Sequence, residues 1–89
     1  METSRAVVMY MKPGCHLCDT ARGWIEDCAA DPDGYAPLTL DEIDIRRTSA
    51  LFAEYGIRIP VIVIDGTVVA EGRMDDAAQA AIARALMKR

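Results

Sequence analysis

The chain has 89 residues, 10 basic and 14 acidic, for a formal charge of −4. One domain over 1–89 is what this length accommodates, since chains use ~100–200 residues per domain. An acidic balance lacks the clustered basic surface that nucleic acid requires, so no nucleic-acid partner is expected. Hydrophobic residues make up 52% of the chain and charged residues 27%, a composition that folds rather than stays disordered.

The segment Met1 to Arg5 leads into a strand pattern rather than a signal-peptide core. The expected location is therefore cytoplasmic. Arg5 to Met11 (RAVVMYM) is β-branched, aromatic and nearly free of charge, which predicts a buried strand. Lys12-Pro13-Gly14 breaks it. A helix follows from about His16 to Ala29, with Leu17, Ala21, Trp24 and Cys28 forming one apolar stripe flanked by Cys18 and Ile25. Asp31-Pro32-Asp33-Gly34 and Pro37 mark a loop.

Leu40 to Ile45 predicts a second strand. Leu38 and Leu40 are out of phase with Ile43 and Ile45, so either a bulge intervenes or the strand begins late. Thr48 or Ser49 caps a short helix carrying Leu51, Phe52 and Tyr55 and ended by Gly56. Val61 to Ile64 and Thr67 to Ala70 are strands joined by Asp65-Gly66, a strong hairpin signal. The longest apolar run, Ile59 to Ile64, is interrupted by Pro60 and falls far short of a bilayer, so no membrane partner is expected. A last helix spans about Asp76 to Lys88, with Ala78, Ile82, Ala85 and Leu86 on its apolar face and Lys88 and Arg89 at its negative end. The order β-α-β-α-β-β-α demands a parallel pair with a right-handed crossover plus an antiparallel hairpin. The predicted fold class is α/β, a four-stranded mixed sheet flanked by three helices.

Three cysteines do not make a disulfide framework. The tight Cys15-His16-Leu17-Cys18 spacing points instead to catalysis or metal binding. Cys15 falls where the first strand gives way to a helix, so free N–H groups and partial positive charge favour its thiolate. Cys18, one turn on, is within reach to close a disulfide. A thiol with a pKa of ~8.5 is only ~3% ionised at neutral pH; two units of lowering take ~2.7 kcal/mol and give ~75%. The helix terminus supplies ~1 kcal/mol, Lys12 and a protonated His16 would add to it, and Asp19 opposes them.

With that placement the sequence resembles the thioredoxin superfamily and, within it, the glutaredoxins. Tyr10-Met11-Lys12-Pro13-Gly14-Cys15-His16-Leu17-Cys18 is similar to the glutaredoxin segment running from strand through Lys to Cys-x-x-Cys. Gly56-Ile57-Arg58-Ile59-Pro60-Val61 resembles the stretch carrying that family's cis-proline, and Gly72-Arg73-Met74-Asp75-Asp76 its Gly-Gly-x-Asp-Asp. The combination looks like a small bacterial subgroup of glutaredoxin-like proteins. The resemblance implies a thioredoxin/glutaredoxin-like fold, Cys15 as nucleophile, Cys18 as resolving thiol and a cis Ile59-Pro60 bond whose Ile59 backbone is free to pair with an extended substrate. It further implies a glutathione site bounded by Lys12, His16, Leu17, Arg58, Ile59, Pro60, Arg73, Asp75 and Asp76. Leu17 stands where the family commonly has an aromatic residue, and Arg73 where it has a second glycine. Met9 stands where thioredoxins keep a buried acid.

Each residue also has a plainer reading. Cys28 and Trp24, on the helix stripe, read as core. Pro60 can be an ordinary trans proline opening an edge strand. Asp75 can simply cap the last helix, and Arg46 and Arg47 read as solvated charges. Two functions remain in view. One is a thiol–disulfide oxidoreductase, monomeric and without a tightly bound cofactor. It would reduce a disulfide-bearing protein or a glutathione mixed disulfide, with glutathione as co-substrate. The other is a thioredoxin-fold adaptor or a metal or iron–sulfur carrier using Cys15 with glutathione. No complete metal site is expected within one chain, because two cysteines do not finish a tetrahedral centre.

Overall fold

Alternation along the first strand sets the layers. In the computed structural model, which describes residues 3–89, Val7 and Met9 of β1 (Arg5–Met11) are buried. They face α1 (His16–Ala29) and α3 (Asp76–Leu86), whose Ala21, Ile25, Ile82 and Leu86 complete one core with Ile62 and Ile64 of β3 (Val61–Ile64). Tyr10, on the opposite face of β1, stacks on Tyr55 of α2 (Ser49–Tyr55), with ring centroids 4.0 Å apart and planes 14° apart. The sheet therefore lies between two helices on one side and α2 on the other.

The strands lie in the order β2-β1-β3-β4, with β2 at Leu38–Asp44 and β4 at Thr67–Glu71. β1 and β2 are parallel, while β3 runs antiparallel to both β1 and β4. The Asp65-Gly66 turn has positive φ at both residues, 49° and 84°, the combination that gives a hairpin the twist of its strands and that Gly66 adopts without steric penalty. This is a thioredoxin-like fold in the element order β-α-β-α-β-β-α. No helix of the described residues is long and apolar enough to cross a membrane. Met1 and Glu2, the first residues of the segment read as lacking a leader, lie outside the described residues.

Several expectations are corrected. The second strand begins at Leu38 and runs in unbroken parallel register with β1, from Arg5↔Leu38 to Met11↔Asp44. Leu38 and Leu40 join the core side, and Ile45 leaves the strand to start a 3-10 turn (Ile45–Arg47) in which it is fully buried. The phase conflict is thus resolved without a bulge in β2; the irregularity lies between β3 and β4, at Ile62/Val63. The buried stripe of α1 is Cys18, Ala21, Ile25 and Cys28, which turns Leu17 outward and leaves Trp24 half-buried.

Gly56 ends α2 with φ −52°, in the right-handed region; an added Cβ would meet the Phe52 carbonyl oxygen at 2.6 Å. Space, not left-handed backbone, selects glycine there. At the end of α3, besides Arg84 in its last turn, Arg5 supplies a cation whose Nη2 and Nε donate to the carbonyls of Met87 (3.2 Å) and Ala85 (3.4 Å). Lys88 and Arg89 lie beyond the helix.

Candidate active site

The site forms at the end of the sheet where β1 stops. Lys12-Pro13-Gly14 turns the chain, and Gly14, at φ 78°, takes a conformation that would strain any side chain. Cys15 N–H donates to the Lys12 carbonyl at 3.3 Å. Cys15 is then the N-cap of α1: its backbone is extended, φ −84° and ψ 105°, and its Sγ accepts the Cys18 N–H at 3.2 Å. A sulfur occupies the place where a capping oxygen usually serves.

Cys15 and Cys18 form a disulfide, with Cα atoms 5.2 Å apart. The two sulfurs are not equivalent. Cys15 is partly buried whereas Cys18 is fully buried in the core. An incoming group therefore meets Cys15, and Cys18 meets only its neighbour. The Cys18 N–H and the N-terminal end of α1 both face the Cys15 sulfur, an arrangement of free donors and helix dipole that suits negative charge.

Two further segments reach this end. Because Tyr10 pairs with Val61, the residues before β3 lie beside the end of β1; the Ile59-Pro60 bond there is cis and Pro60 is buried. The Pro60 carbonyl accepts the Gly72 N–H at 2.9 Å, which draws in the turn after β4. Leu17 and Gly72 to Asp75 line one open groove. Arg73 is absent from the positive-φ positions, so it replaces glycine without left-handed strain. Asp75 caps α3, its Oδ1 accepting the Ala78 N–H at 3.0 Å, and Asp76 begins the helix. Lys12 and His16 are exposed on either side of Cys15.

Two expected ligand groups are engaged elsewhere. The Arg58 guanidinium donates from Nη1 to Glu54 at 3.0 Å and from Nη2 and Nε to Glu71 at 2.8 and 3.2 Å, and lies 5.3 Å over the Tyr55 ring. The bond to Glu71, reinforced by Glu54, holds its pKa above the usual value. The Ile59 N–H is not free: it donates to the Tyr55 carbonyl at 3.1 Å, so a substrate strand would have to pair through the Ile59 carbonyl. Sequence reasoning missed Glu71 as a partner of Arg58, since 13 residues separate them. It also missed Ile57, which is 100% exposed two residues before Ile59. No local pattern marks either.

Away from this site, a cavity of about 140 Å³ between α1 and α3 has Trp24, Cys28 and Tyr35 among its walls. Burial pushes the Cys28 thiol pKa up, opposed by a hydrogen bond with Tyr35. Among the described residues, no group of three or more His, Cys, Asp or Glu side chains is arranged to hold a metal ion.

The fold and a cysteine pair at the head of its first helix define a thioredoxin-like protein with the makings of thiol redox chemistry. The glutaredoxin-like domain (DUF836) model matches residues 6–87, and the chain belongs to that family. It is similar to the solution structure of protein Ne2328 from Nitrosomonas europaea, at 21% identity and a TM-score of 0.67, over 92% of this chain and 94% of that one. It is also similar to a structure described as a malarial protein, at 15% identity and a TM-score of 0.59, over 94% and 99% of the two chains. At these identities the likeness concerns the fold alone. No curated protein matches the chain.

Proposed function

We propose that the protein is a cytoplasmic thiol–disulfide oxidoreductase working through Cys15 and Cys18. The observation that carries this reading is the unequal pair: a half-buried Cys15 capping α1 and bonded to a fully buried Cys18. In the reduced protein the Cys15 thiolate attacks a substrate disulfide. A Cys15–substrate bond forms, the substrate S–S bond breaks, and its second sulfur leaves as a thiolate that takes up a proton. The Cys18 thiolate then attacks Cys15 Sγ, closing the protein disulfide and releasing the first substrate sulfur as a thiol. Two electrons pass from the dithiol to the substrate, and an external thiol reductant restores it.

The test is reduction of a neutral small disulfide, bis(2-hydroxyethyl) disulfide, by pre-reduced protein. Cys15→Ser is expected to abolish it, and Cys18→Ser to stop at a mixed disulfide visible by intact mass. Full dithiol turnover by Cys18→Ser contradicts the resolving role. A visible chromophore in anaerobically purified protein, with no disulfide reduction, would favour carriage of a metal or cluster instead.

A further inference from the structure

Resting on the redox reading above, we propose that the preferred substrate is a disulfide in an extended polypeptide segment that carries an apolar residue beside its cysteine and lysine or arginine nearby, rather than glutathione. The charge around the site supports this. Arg58 lies between Glu54 and Glu71, and Arg73 Nε is 4.0 Å from Asp75, next to Asp76. On the α1 flank, Arg22 is shared between Asp19 and Glu42. On both sides carboxylates outnumber the cations they hold. Lys12, three residues before Cys15, forms no ion pair with a carboxylate among the described residues.

Glutathione is an anion at neutral pH and meets a rim where Arg58 and Arg22 are already hydrogen-bonded to carboxylates and the exposed Arg73 stands next to Asp75 and Asp76. A basic segment meets the surplus carboxylates instead, and like charge against an anion lowers encounter rates. The apolar surface points the same way. Ile57 is fully exposed and Leu17, in the groove, is 42% exposed. Leu17, two residues after the nucleophilic cysteine, and Ile57, three residues before the cis-proline, suit a protein segment with an apolar side chain, and glutathione has no such side chain. The electron balance is that of the reaction above, the protein dithiol being the reductant.

The experiment compares single-turnover reduction by the pre-reduced protein of four disulfides. These are bis(2-hydroxyethyl) disulfide, oxidised glutathione, and two disulfide-linked synthetic peptides of equal length with Leu beside Cys, one flanked by Lys and the other by Glu. At low salt the Lys peptide is expected to react about tenfold or more faster than the Glu peptide and oxidised glutathione. That advantage should shrink toward unity near 1 M salt, where the screening length falls to ~3 Å. A Glu54→Gln, Glu71→Gln double variant removes two exposed carboxylates and frees Arg58. It should narrow the preference at low salt and speed glutathione disulfide reduction.

Equal rates for the two peptides, faster reaction with glutathione, or a preference that neither salt nor the double variant moves would overturn the proposal while leaving the redox reading intact. Failure with all four disulfides, the neutral one included, would overturn both.

Discussion

Asp75 performs a structural task that can be separated from its charge, and the separation yields a quantitative prediction. Its Oδ1 accepts the Ala78 N–H at 3.0 Å and starts α3, the helix that seats Ile82 and Leu86, both 0% exposed, in the core. Asp75→Ala leaves that N–H without its partner, a loss of about 1 kcal/mol within a range of ~0.5–2. For a domain of this size each kcal/mol moves Tm by ~4–8 °C, so the oxidised protein should melt about 4–8 °C lower by circular dichroism. Asp75→Asn keeps an acceptor of similar capping strength and should melt within about 2 °C of wild type. It nevertheless removes one carboxylate from the groove. The Asn variant should therefore hold its stability while losing part of the preference for basic disulfides. An Ala variant that melts with wild type, or an Asn variant that melts as low as Ala, refutes the capping argument.

Two other consequences are as direct. Burial raises the folded Cys28 thiol above its unfolded value, so the stability tied to the neutral thiol is complete below the unfolded thiol range of ~8.5. It is lost as pH rises through that range toward the folded value. Urea unfolding from pH 7 to 10 should therefore decline more steeply for wild type than for Cys28→Ala, and parallel slopes would contradict this. Ile82→Ala, at a fully buried position between the sheet and α1, should lower the unfolding free energy by about 2–5 kcal/mol. A midpoint in urea close to that of wild type would show that the α3 side of the core is not where the fold holds.

What the sequence revealed and what it hid follow from the range of the interactions involved. The hairpin at Asp65-Gly66 and the cap at Asp75 depend on a few adjacent residues and could be read directly. The cysteine pair is similarly local: a strand end, a glycine turn and a helix start fall within residues 11–18. The helix stripe was misphased by one residue because Leu17 and Cys18 are both apolar. Only the packing of α3 and the sheet decides that Cys18 turns inward while Leu17 lines the groove. The periodicity of a single strand does not reveal its register, so only pairing with Arg5 places Leu38 in β2.

The electrostatics of the site were the least legible. Glu54, four residues before Arg58, is visible on a helical spacing, but Glu71 arrives only through the β3–β4 hairpin. An arginine that a motif assigns to a ligand thus belongs, in the folded chain, to two carboxylates. The Ile59 amide is similar: its bond to Tyr55 depends on how α2 ends against the cis-proline turn.

The measurement that bears most directly on the redox reading is equilibration of the protein with defined glutathione or dithiothreitol redox buffers, with free thiols counted by alkylation and intact mass. The account predicts a reversible two-electron transition confined to Cys15 and Cys18, in the range of ~−180 to −270 mV that reducing oxidoreductases occupy. Cys28 should stay a thiol throughout. A Cys15–Cys18 pair that never closes into a disulfide in any buffer would contradict the dithiol mechanism.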